Sequence, residues 1–258
     1  MKLQTENKKP ESQYEKNQDF NLINRYLHSL RYKNLVQTIN NFQVNTSRQG
    51  KIIKILDIGS GFGRTFSTLD EKFNIDYWGI ELFKEWHETA CERYGEKNNF
   101  HNILGSALDR EVYSRIPEPD IVTALETFEH LPERDLVRLI EFLADTVKPQ
   151  LLIASVPVEI GPIIWIKNIG SFITGYDRNG FARGYTLEET FWAGLYQLDK
   201  LPVHGRGEGV AHHKGFDHRW LTQTIRQNFK ILEIRKFPFN FLPASLATSL
   251  FIVAVTRE

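Results

Sequence analysis

The sequence predicts an α/β domain built on a mostly parallel sheet with helices on both faces. Three observations carry this. Five short apolar runs alternate with helix-like segments between residues 52 and 156. Three glycines at alternate positions follow the first run. Two further strand-like runs close the sequence, with a connection short enough for a hairpin.

The expected strands, in order, are Ile52–Ile58, Asp76–Ile80, Phe100–Leu104, Pro119–Leu125 and Leu151–Val156. Between them, helices are expected over Arg64–Phe73, Lys84–Tyr94, Arg110–Arg115 and Glu133–Thr146. Before the first strand, Leu22, Tyr26, Leu27, Leu30, Leu35 and Ile39 recur at near-helical spacing, which predicts one or two helices against the side of the domain. Residues 1–20 are rich in Lys, Glu, Gln and Asn and read as a flexible arm, leaving 21–258 as the folded domain. After the fifth strand the alternation breaks. Residues 157–218 carry many glycines, aromatics and histidines, and only Leu187–Tyr196 reads clearly as a helix, with Thr186 as its N-cap. A segment this long between regular elements is expected to be an insertion or lid that shapes a site. A helix over Arg219–Asn228 and strands over Ile231–Phe237 and Leu250–Thr256 complete the expected order.

Bulk properties exclude several classes. The formal net charge is zero over 258 residues, so no global attraction to nucleic acid or anionic membrane is expected. One cysteine, Cys91, precludes an intrachain disulfide framework and fits a reducing, cytoplasmic setting. The N-terminus is polar and charged through Asp19, unlike a secretory leader. No apolar run reaches membrane-spanning length, which leaves peripheral contact open.

The stretch Ile53-Lys54-Ile55-Leu56-Asp57-Ile58-Gly59-Ser60-Gly61-Phe62-Gly63-Arg64 is the most informative. An apolar strand ends in an acidic residue and a glycine turn, and a helix follows whose free N–H groups face the turn. That is the layout of a nucleotide-type cofactor site at the carboxyl end of a strand. In a dinucleotide fingerprint the third glycine would stand at Arg64, and here it comes one residue early. A P-loop is excluded, because no Gly-Lys-Ser/Thr follows. The run resembles motif I of the class I S-adenosylmethionine-dependent methyltransferases, h-h-D-h-G-x-G-x-G. Pro119 to Pro132, with Glu126-Thr127-Phe128-Glu129-His130 at its heart, resembles the fourth motif of the same family in its ubiquinone-type, small-molecule branch.

The resemblance implies a Rossmann-like seven-stranded sheet, mostly parallel with an antiparallel C-terminal hairpin, and S-adenosyl-L-methionine as cofactor. It implies that Asp57 organises the turn and reaches toward the methionine end of the cofactor, and that Gly59, Ser60, Gly61 and Gly63 let it approach the backbone. Glu81 ends the second expected strand, 18 positions beyond Gly63, where a carboxylate can accept hydrogen bonds from both ribose hydroxyls. Leu82 and Phe83 are expected against the adenine. Ser106 and Ala107 follow the third strand, where the family often has Asp-Ala and the Asp accepts from the adenine amino group. Serine is a weaker acceptor, and Asp109 is a nearby substitute. Glu126 is expected near the methionine end, with Glu129 and His130 at the mouth of the sheet.

Methyl transfer needs an aligned nucleophile and, for a hydroxyl, a base. His130 and His213 are the two candidates for that catalytic role. His204, His212, His213, Asp217 and His218 are legitimate metal-ligand types, but their spacing matches no zinc pattern, so no metal site is expected. Trp165, Phe172, Tyr176, Phe181, Tyr185, Phe191, Trp192 and Tyr196 are expected either to receive an acceptor or to form the minor core of a lid. Lys167, Arg178, Arg183, Arg206 and Lys214 leave an anionic acceptor open. No N-P-P-Y tetrapeptide occurs, which favours a small-molecule acceptor methylated at oxygen or carbon. Two other readings are a non-catalytic S-adenosylmethionine-binding module of this fold and a nucleotide-dependent oxidoreductase. The resemblance's terminal strand pair, in place of a second parallel half, weighs against the latter.

Overall fold

The computed structural model describes residues 22–174, 185–202 and 213–257. The expected arm over residues 1–20 lies outside them. Strand β1 (Ile53–Ile58) pairs in parallel with β2 (Ile75–Glu81) on one side and with β4 (Ile121–Leu125) on the other. Strand β3 (Phe100–Leu104) extends the sheet beyond β2, and β5 (Leu151–Pro157) extends it beyond β4, again in parallel. The last strand, β7 (Ser249–Thr256), inserts antiparallel between β5 and β6 (Phe229–Phe237). The order is β3-β2-β1-β4-β5-β7-β6, a Rossmann-like sheet, mostly parallel with an antiparallel C-terminal hairpin, as the resemblance implies. Chain order reverses between β1 and β4, so their carboxyl ends form the crevice where open α/β sheets bind ligands.

The strands form where apolar residues run nearly unbroken, because both faces of the sheet are covered. All seven residues of β5 are buried. Ile55 and Leu56 are neighbours in sequence yet belong to opposite cores, as the two-residue period of a strand requires. One core gathers Leu56, Val122, Leu139, Phe216, Leu221 and Phe229. The other gathers Leu35, Ile39, Phe66, Tyr77, Phe100 and Phe251.

Helix α1 (Leu22–Asn45) is one continuous element that buries Leu35 and Ile39. Helices α2 (Arg64–Asp70), α3 (Lys84–Tyr94), α4 (Arg110–Tyr113) and α5 (Glu133–Phe142) follow the first four strands, and α2, α4 and α5 end earlier than the sequence predicts. After α5 the chain widens into a π turn over Leu143–Val147 and stops at Lys148, whose φ is 49°. Helix α6 (Ile163–Thr174) was not expected. Its first turn, Ile163-Ile164-Trp165-Ile166, is apolar all round, so no amphipathic period marks it; the helix buries Ile163 and Ile164 and exposes Ile166. Helix α7 (Leu187–Gly194) begins at the expected Thr186, in a capping box with Glu189. Helix α8 (His218–Asn228) runs straight into β6, so that strand starts two residues before Ile231. No helix among the described residues is long and apolar enough to cross a membrane.

Candidate functional site

The glycine turn after β1 is stitched to the end of β2. The N–H groups of Gly59 and Ser60 both donate to the Ile80 carbonyl, at 2.9 and 3.1 Å. One oxygen of Glu81 accepts from the Gly61 N–H and the other from the Phe83 N–H, each at 2.8 Å. Burial raises the Glu81 carboxyl above its ordinary range, and these backbone donors pull it back down. The carboxylate therefore holds the turn in place.

Two glycines are obligatory for different reasons. At Gly59, with φ 73°, an added Cβ would lie 2.4 Å from the Thr127 hydroxyl, so the turn is pressed against the segment after β4. At Gly61, with φ 55°, an added Cβ would meet nothing within 4 Å. No protein atom fills the space beside that backbone, which is the cradle a bound ligand needs. Gly63, the N-cap of α2, takes φ 77°. Ser60 turns away from the cradle and donates to Asn102 Oδ1 at 2.9 Å.

Asp57 lies at the bottom of the crevice, 1% exposed. It accepts from Thr123 of β4 at 2.6 Å and from Tyr77 of β2 at 2.7 Å, tying three strands together. Burial dominates its ionisation and pushes the carboxyl up to about 6, against the pull of its hydroxyl donors.

Glu126 follows β4 in the left-handed region, φ 54°. Its Oε1 receives Arg31 of α1 at 2.9 Å and the Ser155 hydroxyl at 3.1 Å. Sequence reasoning did not find Arg31. It sits 95 positions before Glu126 in a stretch read only for its apolar stripe, and nothing local in the sequence marks it. Tyr77, Thr123 and Ser155 were also missed. Their strand positions were legible, but their hydrogen-bond partners depend on which strands pair.

The turn after β3 is tied by its own side chains. Ser106 accepts from the Leu108 N–H at 3.2 Å, and the Ala107 carbonyl accepts from Tyr113 at 2.9 Å. Asp109, the expected substitute for an adenine contact, instead caps α4 by accepting from the Glu111 N–H at 3.0 Å. Leu82 and Phe83 are 62% and 58% exposed beside Glu81, and Phe83 lies 5.1 Å from Trp86, which in turn lies 5.1 Å from Phe62. Leu82 and Phe83 therefore present apolar surface to solvent beside Glu81.

A single 3-10 turn (Phe128–His130) carries Glu129, which is fully buried, and His130, which is exposed. His213, 83 positions later, meets His130 there: the two Nε2 atoms are 3.3 Å apart and the ring centroids 4.6 Å. Its neighbours hold His213 in place. Lys214 pairs with Glu189 of α7 at 2.6 Å, and the Gly215 N–H donates at 2.8 Å to Tyr185, whose hydroxyl donates to the Glu159 carbonyl at 2.9 Å. The two candidate histidines are thus one site.

The aromatics of the insertion divide. Tyr185, Trp192 and Tyr196 pack on a minor core of Ile160, Ile164, Ala193 and Leu201. Trp165 donates from Nε1 to the Thr190 carbonyl at 3.1 Å. Phe191 is 52% exposed. Of the expected basic residues, Lys167 pairs with Glu159 at 2.9 Å and Lys214 with Glu189, so both are committed within the protein. Asp217 caps α8 and pairs with Arg219 at 2.9 Å, while His218 is buried. Burial, with a smaller contribution from Arg219 and Lys167, lowers the His218 imidazole to about 4. Tyr176, Arg178, Phe181, Arg183, His204, Arg206 and His212 lie outside the described residues.

Residues 55–150 match the family model described as a methyltransferase domain. Comparison with curated proteins gives no match. Among solved structures, the small RNA methyltransferase HEN1 is 17% identical with TM-score 0.56, over 90% of this chain and 26% of that one. A CurJ carbon methyltransferase is 12% identical with TM-score 0.60, over 96% and 59% of the two chains. The magnesium protoporphyrin IX methyltransferase of Synechocystis PCC 6803, solved with bound SAH, is 13% identical with TM-score 0.53, over 92% and 88%. This chain therefore spans about a quarter of the first protein's length and 59% of the second's. At such identities the likeness is one of fold, and the fold is that of the class I methyltransferases.

Proposed function

We propose that this chain, whose residues 55–150 form a methyltransferase domain, transfers a methyl group from S-adenosylmethionine to a small-molecule acceptor through oxygen or carbon. The observation that carries the reading is the open backbone at Gly61 beside the Glu81 carboxylate. When bound, the cofactor supplies a methyl group made electrophilic by a sulfonium. Glu81 would hold the ribose diol. Gly59, Gly61 and Gly63 would line the turn, and Leu82 and Phe83 would cover the adenine beside Ser106 and Ala107. Asp57 and Glu126 would face the methionine end, with the charge of Glu126 matched by Arg31.

The His130–His213 pair is where the acceptor oxygen or carbon would be activated, and residues 157–218 form the insertion that shapes its pocket. Two features support this role for the insertion. It carries its own minor core, and that core, through Tyr185 and Glu189, fixes the segment bearing His213. Holding the acceptor in line with the methyl carbon is the protein's main contribution, since orientation alone can supply up to ~7–11 kcal/mol.

Calorimetric titration of the full chain with S-adenosylhomocysteine and, separately, NAD tests the cofactor reading. Binding of the first and not the second is expected. Glu81→Gln keeps the shape and removes the charge, and should weaken binding about tenfold or more, since a hydrogen bond to a charged group contributes roughly 1.5–3 kcal/mol. No heat with S-adenosylhomocysteine would overturn the proposal. Mass analysis of hydroxylated small molecules incubated with labelled methyl donor then separates an enzyme from a binding module.

A further inference from the structure

We propose that Glu129, His130 and His213 are the ligands of a divalent first-row transition-metal ion at the mouth of the crevice. Their ligand atoms all lie within 4.8 Å of one another. The two imidazole Nε2 atoms stand 3.3 Å apart. Two nitrogens bound at ~2.1 Å to one tetrahedral ion would be about 3.4 Å apart, so the pair is already at ligand spacing.

The second observation is Glu129 itself. Its side chain is fully buried, and neither carboxylate oxygen has a hydrogen-bond partner among the described residues. A buried carboxylate left without donors is costly. A cation held between Glu129 and the two imidazoles removes that cost. His130 is exposed and His213 half-buried, so an ion has a path in from solvent. Two imidazoles and one carboxylate suit ions such as Mn²⁺, Co²⁺ or Zn²⁺ better than Mg²⁺ or Ca²⁺, which prefer oxygen alone.

The sequence concealed this set. Its ligands come from two segments 83 positions apart, and the histidine-rich stretch around His213 contributes one residue. Three protein ligands leave positions open, as catalytic sites do. The role of the ion rests on the methyltransferase reading and narrows it: an open position would take the hydroxyl oxygen of an alcohol or phenol. The O–H bond then breaks with its electron pair left on oxygen, and the proton passes to water. On this account His130 and His213 act as ligands, and neither is the base.

The test is titration of the metal-stripped full chain with Co²⁺, read by its visible d–d absorption, alongside calorimetry with Mn²⁺. One equivalent of Co²⁺ is expected to produce bands, and His213→Ala and Glu129→Gln should each weaken binding about tenfold or more. His101→Ala, on strand β3, should leave it unchanged, and circular dichroism checks that each variant is folded. Absence of bands and heat in the unmodified chain overturns the proposal. Full-strength binding in folded His213→Ala, which is not a core residue, overturns it too. S-adenosylhomocysteine binding by the metal-free chain separates the two readings: if it persists without metal binding, the ion is wrong and the methyltransferase proposal stands.

Discussion

Replacing Arg31 by Met should cost this protein about 3 kcal/mol of stability, through a residue 95 positions away. Arg31 is the cation that meets the Glu126 carboxylate, at 2.9 Å, with side chains only 7% and 18% exposed. Methionine keeps much of the volume and removes the charge. Glu126 is then left with the Ser155 hydroxyl while it still repels the buried Glu129. Breaking a buried pair by deleting one partner costs roughly 3–5 kcal/mol, because the survivor is uncompensated. Glu126 retains some contact with solvent, which places the expectation at the lower end. About 3 kcal/mol is more than a hundredfold in the folding equilibrium. Urea denaturation followed by circular dichroism measures it, and an unchanged slope with denaturant shows that both states are otherwise comparable. The double variant Arg31→Met/Glu126→Gln should recover at least half of the loss, since it removes the stranded charge. A loss below 1 kcal/mol for the single variant, or no recovery in the double, would refute the claim that this pair fastens α1 to the crevice.

Asp57 predicts a pH dependence of known sign. Its folded-state value of about 6 lies above the ordinary 3.8, so its contribution to stability is whole below pH ~4 and is lost as pH rises through about 6. The loss is roughly 3 kcal/mol. Asp57→Asn should therefore flatten the stability profile between pH 4 and 7 relative to the unmodified chain, and parallel profiles would contradict this. Gly61→Ala should destabilise the fold by only ~1–2 kcal/mol, the cost of a left-handed residue with a Cβ, because nothing in the protein blocks that Cβ. The same change should weaken S-adenosylhomocysteine binding about tenfold or more by calorimetry; equal affinity would mean that the cradle is not used. Thr186→Ala removes the capping box of α7 and should cost ~1 kcal/mol in thermal or urea melts.

Local sequence determined the seven strands and most of the helices, because each strand is an apolar run closed by a glycine turn or a short polar connection. It also placed the glycine turn and Glu81, whose interaction spans only 20 positions within one strand–helix–strand unit. Where periodicity vanished, the reading failed. Helix α6 is apolar around its first turn and carries no signature. Ser106 also serves as a turn acceptor and Asp109 as a helix cap, local uses that the sequence reading does not include. What brings Arg31 to Glu126, and His213 to His130 and Glu129, is long-range packing. Those pairs are 95, 83 and 84 positions apart, and no local propensity encodes such a distance. The sequence by itself determined which strands exist and where a cofactor could lie. Only the tertiary structure decided which charges meet at the mouth, because a carboxylate's partners are set by the whole packed chain around it.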